Sequence, residues 1–187
     1  MKLLIIDNYD SFVYNLVHII RKIEGVDITI QKNDQTKIEE INQFDKILLS
    51  PGPGVPKESG NILEIIKTYA PTKSILGICL GHQAIAEAFG NELTNLKEPK
   101  HGVSSKLIKI EPHSIFNDTP DEFSIGHYHS WVVSPLINTQ IIPTSIDEEG
   151  NIMSLKHAKY DVHGLQFHPE SILTENGELM IKNWIKH

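Results

Sequence analysis

Ser74-Ile75-Leu76-Gly77-Ile78-Cys79-Leu80-Gly81-His82-Gln83-Ala84-Ile85-Ala86 is the stretch that decides the fold. Ile75, Leu76 and Ile78 form an apolar run of the kind that makes a parallel strand buried on both faces. From Gly81 onward, Ala84, Ile85, Ala86, Ala88 and Phe89 suit a tightly packed helix. Between strand and helix stands Gly77-x-Cys79-x-Gly81, the cysteine counterpart of the G-x-S-x-G nucleophile elbow. A sharp strand-to-helix turn strains its central residue and brings backbone against backbone, so its neighbours carry no Cβ. Cys79 is then expected at the carboxyl edge of a sheet, above a helix N-terminus that favours thiolate. A lone free cysteine is more often a small buried hydrophobe, and the pentad alone leaves packing and chemistry about equally open.

Upstream, Leu3 to Ile6 form a first apolar strand, followed by apolar residues at Phe12, Val13, Leu16, Val17, Ile19, Ile20 and Ile23 in helical spacing. Asp10 or Ser11 is the expected N-cap and Gly25 the expected stop. Val26–Ile30 and Lys46–Ser50 read as strands, the second leading into Pro51-Gly52-Pro53-Gly54-Val55-Pro56, and a helix is expected from about Gly60 to Tyr69. Strand and helix alternating in this way predict a flavodoxin-like, doubly wound, mainly parallel α/β sheet. After Gly90 short alternating runs follow at Lys106–Ile110, Phe123–Ile125, Gln140–Ile142, Ile152–His157 and Gly164–Phe167. They read as additional, largely antiparallel strands before a last helix near Glu175–Ile185. No linker or repeat interrupts 1–187, so one domain is expected.

Composition narrows the function classes. In 187 residues with 40% hydrophobic and 22% charged content, a single substantial core is expected. A net charge of −7 disfavours nucleic acid and anionic membrane as partners. No apolar run approaches the roughly 20 residues of a membrane span, and Met1–Asp7 reads as a strand rather than a signal segment. One cysteine rules out an internal disulfide and suits a reducing cytoplasm.

Ten histidines are many, and His18 and His101 have no telling spacing. His127-Tyr128-His129 places two imidazoles on one strand face, without a third ligand at convincing spacing for a metal. His168-Pro169-Glu170 ends the run Gly164-Leu165-Gln166-Phe167. Pro169 keeps His168 extended, so His168 and Glu170 lie on the same side and the carboxylate can orient the imidazole. An imidazole so oriented can activate a thiol and later protonate a leaving group. Acyl chemistry also needs oxyanion donors. Leu80 offers a backbone N–H at the helix start, and in the Pro51–Gly54 tetrad only Gly52 and Gly54 have one. The loop lacks the ending of a P-loop and no G-x-G-x-x-G accompanies it, so nucleotide binding is not supported.

Gly77-Ile-Cys-Leu-Gly-His-Gln83 and Gly164-Leu-Gln-Phe-His-Pro-Glu-Ser171 together resemble the nucleophile and His–Glu motifs of the triad-type (class I) glutamine amidotransferases. Ile6-Asp-Asn-Tyr-Asp-Ser-Phe12, Ser50-Pro-Gly-Pro-Gly-Val-Pro56 and His129-Ser130 bring the resemblance closer to the small subunits of anthranilate synthase and of aminodeoxychorismate (para-aminobenzoate) synthase. It runs from Lys2 to the final helix. It implies that Cys79 attacks the amide of L-glutamine, with the intermediate held by the Gly52 and Leu80 amides within the Gly52-Pro53-Gly54 loop and elbow. It further implies that His168 and Glu170 complete the triad, that Gln83 contacts substrate, and that the Ser130–Trp131 backbone holds glutamine's α-amino and carboxylate groups. No metal or organic cofactor is implied for this chain. Ammonia would pass to a larger chorismate-binding subunit, in a heterodimer or heterotetramer, with magnesium in that partner.

Three positions depart from the family pattern: Val103 stands where lysine is usual, His127 where arginine is usual, and Trp131 where leucine is common. The loss of two cations bears on partner coupling rather than on hydrolysis. Val55-Pro56 inclines the reading toward anthranilate. The alternatives are para-aminobenzoate synthesis or both, a catalytically silent flavodoxin-like module, and a stand-alone cysteine hydrolase.

Overall fold

In the computed structural model, residues 1–135 and 139–187 are described. The elements run in the order β1 (Lys2–Asp7), α1 (Val13–Arg21), β2 (Asp27–Lys32), β3 (Lys46–Leu49), α2 (Ile62–Tyr69), β4 (Ser74–Ile78), α3 (Leu80–Ala88), β5 (Leu93–Lys109), β6 (Glu122–Val133), β7 (Ile141–Ile146), β8 (Ile152–His157), β9 (Val162–Leu165) and α4 (Gly177–Lys186), with short 3-10 turns at Ile38–Gln43, Pro56–Glu58 and Ser114–Phe116.

The strands form one nine-stranded sheet, β2-β1-β3-β4-β9-β8-β7-β5-β6. From β2 to β9 all neighbours are parallel. From β9 to β6 all are antiparallel. The parallel half is buried on both faces because alternate residues feed two cores. Leu3, Ile5, Leu48 and Leu76 pack with Leu16 and Ile20 of α1 and Trp184 of α4. Leu4, Ile6, Leu49 and Ile75 pack with Ile62 and Ile66 of α2 and Ile85 of α3. The doubly wound α/β class is as expected, and the additional antiparallel strands continue its parallel sheet into a single mixed one.

Several local expectations need correction. The alternation of Gly164–Phe167 reads as one more antiparallel strand, yet β9 pairs parallel to β4, with Ile78 opposite Leu165. A strand entering the core from a β8–β9 hairpin can lie parallel to β4 and antiparallel to β8 at once, which alternation alone does not reveal. The Lys106–Ile110 run is the end of a 17-residue strand. Register shifts between Asn95 and Lys100 and between His101 and Val103 let it carry Pro99 and Gly102, which mask it in the sequence. Neither Asp10 nor Ser11 caps α1. Tyr9 turns the chain at φ 61°, Asp7 Oδ1 accepts the Asp10 N–H at 3.2 Å, and the helix begins only after Phe12. Gly25 does turn the chain, at φ 81°.

The antiparallel half curls back over the carboxyl ends of the parallel strands. The His168 N–H donates to Gly126 O on β6 at 3.2 Å, and Gln83 Nε2 on α3 donates to Trp131 O at the other end of β6 at 2.9 Å. The edge strand β6 thereby becomes a wall of the site.

Candidate active site

Cys79 stands alone between β4 and α3, at φ 51° and ψ −101°. L-residues rarely occupy this region, and strain of this kind persists where surrounding structure enforces it. The enforcement is visible on both sides. A Cβ on Gly77 would collide with the backbone of Gly81, and a Cβ on Gly81 with the backbone of Leu49. The Cys79 N–H donates to Leu165 O of β9 at 2.8 Å, and Gln83 N–H closes the first helical bond on Cys79 O at 3.1 Å. The amides of Leu80, Gly81 and His82 therefore have no acceptor within the helix, and the positive end of the α3 dipole lies at the sulfur.

The β4–β9 register brings His168, three residues past Leu165, to the same edge. Its Nδ1 lies 2.7 Å from Glu170 Oε1, and both side chains are nearly inaccessible, at 7% and 2%. A carboxylate only accepts, so Nδ1 carries the proton and Nε2 is left for transfer. Nε2 is buried and has no hydrogen-bond partner among the described residues. Burial works against a charged imidazole here, but the charge on Cys79 and then Glu170 outweigh it and hold His168 well above its ordinary pKa. The loop is pinned from below. Thr174 Oγ1 donates to His168 O at 2.6 Å and accepts the Gly126 N–H at 2.9 Å. Gly177, opening α4, fits so closely under Pro169 that a Cβ would overlap its carbonyl.

Of the donor loop, Gly52 is brought to the elbow. A Cβ there would strike Asn8 and approach Leu80 Cδ2 to 2.9 Å. Asn8 fixes this junction, its N–H donating to Ser50 Oγ at 2.9 Å and its Nδ2 to Ser50 O at 2.7 Å. Pro53 and Gly54 are exposed, and a Cβ on Gly54, at φ 76°, would meet only Glu58, so these two residues form the outer tip of the loop. Gln83 Nε2 reaches both Trp131 O, at 2.9 Å, and Gln166 Oε1, at 3.2 Å. This sets the Ser130–Trp131 segment beside the elbow.

Sequence reasoning missed Gln166. It is wholly buried and its Nε2 lies 3.8 Å from Cys79 Sγ. The signal was a polar residue inside an otherwise apolar strand end. Tyr128 was also missed as a site residue. Its ring sits edge-on to His168 at 5.1 Å, and with Phe12, His168, Glu170 and Ile172 it lines a cavity of about 250 Å³ on the outer side of the triad.

The His127–His129 pair resolves differently from a metal site. The two imidazoles bond to each other, Nδ1 to Nε2, at 3.0 Å, and among the described residues no group of three or more His, Cys, Asp or Glu is placed to hold a metal ion. Val103 and His127 are cross-strand partners, but Val103 is 47% exposed and His127 fully buried. Only Val103 can meet a partner directly. His18 and His101 are exposed.

A cysteine on a strained strand-to-helix turn, beside a His–Glu pair following the adjacent parallel strand, is the arrangement that triad-type cysteine hydrolysis requires. The chain belongs to the class-I glutamine amidotransferase family, whose model matches residues 4–187. It is 38% identical over 190 residues to anthranilate synthase component 2 of Thermus thermophilus, covering 100% of this chain and 92% of that one. It is 38% identical over 187 residues to the aminodeoxychorismate/anthranilate synthase component 2 of Bacillus subtilis, covering 98% and 95%. A solved structure from Thermoplasma acidophilum, ascribed to a GMP synthase, superposes with a TM-score of 0.89 at 26% identity, covering 100% of this chain and 92% of that one.

Proposed function

We propose that this chain is the glutamine-hydrolysing subunit of a chorismate-utilising synthase, supplying ammonia for anthranilate formation in tryptophan biosynthesis. The observation that carries the chemistry is the elbow sulfur beside an imidazole whose Nδ1 is fixed by Glu170 and whose Nε2 is unpartnered among the described residues. Names of relatives matching over the whole chain support the pathway.

With His168 held protonated and the charge on Cys79, the sulfur attacks the side-chain amide carbon of glutamine as thiolate. A C–S bond forms, and the carbonyl electron pair moves onto oxygen, where the Leu80 and Gly52 amides receive it. The pair then returns, the C–N bond breaks, and His168 delivers its proton to the departing nitrogen, releasing ammonia. Water gives a proton to His168 and adds to the thioester; the C–S bond breaks, the new carboxyl loses its proton to solvent as glutamate leaves, and the imidazolium–thiolate pair is restored. Glu170 steadies the imidazolium throughout. Gln83 and the Ser130–Trp131 backbone hold the amino-acid end of the substrate. No step requires a metal or organic cofactor in this chain; magnesium belongs to the partner.

The partner is a chorismate-binding synthase subunit, in a heterodimer or heterotetramer. Exposed Tyr9, Phe12, Tyr14 and Ile172, at 52%, 51%, 67% and 100%, support a docking face at the triad edge. The cytoplasm is the compartment that suits a catalytic thiol kept reduced, and among the described residues no helix is long and apolar enough to cross a membrane. The double name of the Bacillus subtilis relative favours a second reading, in which the chain also serves aminodeoxychorismate synthesis. The test is to purify the chain with each candidate synthase subunit and supply chorismate and glutamine. Anthranilate is expected with its partner; aminodeoxychorismate alone would overturn the pathway assignment.

A further inference from the structure

Three hydrogen bonds run in line beneath the Ser130–Trp131 segment. Ser105 Oγ lies 2.7 Å from His127 Nε2, His127 Nδ1 lies 3.0 Å from His129 Nε2, and His129 Nδ1 lies 3.0 Å from the Trp131 carbonyl oxygen. A carbonyl can only accept, so His129 carries its proton on Nδ1. Burial pushes His129 down to about 3 and His127 down to about 4, so both rings are neutral at pH 7. His129 Nε2 must then accept, His127 must donate from Nδ1, and His127 Nε2 must accept from the Ser105 hydroxyl. One carbonyl assigns every proton in the chain.

That carbonyl is also the acceptor for Gln83 Nε2, which touches Gln166 Oε1, while Gln166 Nε2 approaches Cys79 Sγ. The line thus extends from the interior of the β5–β6 ribbon to the nucleophile. Lys100, whose charge bears on both rings, is paired with Asp147 and Glu149 at 3.1 and 3.0 Å. Two buried imidazoles cost desolvation that apolar side chains would not. What the polar pair adds is a fixed direction ending on one backbone oxygen.

We propose that His127 and His129 are positioning residues for glutamine, their one-way hydrogen-bond chain from Ser105 anchoring the Trp131 carbonyl so that the Ser130–Trp131 backbone is held to meet the substrate's α-amino and α-carboxylate groups. This rests on the glutaminase reading above and assigns a specificity role to a residue pair that touches neither substrate nor sulfur.

The test compares two reagents on the full chain. 6-Diazo-5-oxo-L-norleucine carries the α-amino and α-carboxylate groups of glutamine; iodoacetamide carries neither. His127→Phe keeps a ring but removes both hydrogen bonds, leaving His129 Nε2 and Ser105 unpaired. It is expected to raise the half-saturating concentration of the diazo reagent about tenfold while iodoacetamide alkylates Cys79 at the wild-type rate. His127→Gln, which can both donate and accept, is expected to restore part of the loss. Nitrogen-15 shifts of the wild type should place the proton of both rings on Nδ1. Equal loss with both reagents, no loss with either, or an Nε2–H tautomer at His129 overturns the proposal. A wild-type chain that alkylates with iodoacetamide but ignores the diazo reagent sinks the glutaminase reading, and this one with it. A reactive wild type whose His127→Phe variant keeps its half-saturation sinks this one alone.

Discussion

β1, β3, β4 and β9 contribute to the site beyond their last residues: Asn8, Gly52, Cys79 and His168 all lie just past a strand's carboxyl end. β5 and β6 contribute through their middles, where Ser105, His127 and His129 bond across the ribbon. In the parallel half the strands are apolar on both faces and rigid, so reacting groups are displaced to the loops at one edge. In the antiparallel half one strand can carry polar side chains inward, provided they satisfy one another. The difference matches the proposed division of labour, in which strand ends place the reacting atoms and a buried polar line within a ribbon places the substrate's distant groups.

The largest expected effect that breaks or upholds this division is at the elbow. Cys79→Ala is expected to lower glutamine-dependent turnover about ten-thousand-fold or more, while synthesis from added ammonia by the complex is retained. Loss of both activities would mean that the elbow holds the fold rather than the chemistry. A second comparison sets one glycine from each half side by side. Gly81→Ala forces a Cβ into the backbone of Leu49, whereas Gly102→Ala, at φ 67°, meets nothing within 4 Å among the described residues. Denaturant unfolding is expected to show a loss of about 3 kcal/mol or more for the first and about 1–2 kcal/mol for the second, from backbone conformation alone. Equal losses would remove the distinction between a packed half and an open ribbon.

The smallest effect is a pH response of opposite sign at the imidazole pair and at His168. Burial first, and neighbouring positive charge second, lower His127 to about 4 and His129 to about 3. The unfolded chain binds protons the native pair refuses, so stability is full above roughly pH 6.5, the ordinary imidazole value, and falls as pH drops below it. The slope is at most about 1.4 kcal/mol per pH unit for each ring. His168 is raised, so its contribution is present at neutral and lower pH and is lost only as pH rises through its elevated folded value. Unfolding at pH 7 and pH 5 should show the acid loss in the wild type and a shallower one in His127→Phe. A variant with the wild-type slope would show that the pair is not the source.

The legibility of the molecule divides along the same line. The elbow, the donor loop and His168-Pro169-Glu170 were readable because strand ends announce themselves through Gly, Pro and an abrupt change from apolar to polar. The 17-residue β5 was not, since two register shifts break its alternation around Pro99 and Gly102. The parallel pairing of β9 was hidden because orientation depends on where a hairpin enters the sheet, which no local pattern records. Gln166 was passed over for the opposite reason. A single polar residue just past a strand is ordinary until its Nε2 is found beside a sulfur.

The most direct measurement of the central claim is to quench the chain with acid during glutamine turnover in the complex and read its intact mass and peptide map. A single γ-glutamyl group on Cys79, absent without glutamine and absent in Cys79→Ala, is the expected result. Glutamine hydrolysis proceeding with no adduct on Cys79, or with the adduct on another residue, would contradict it.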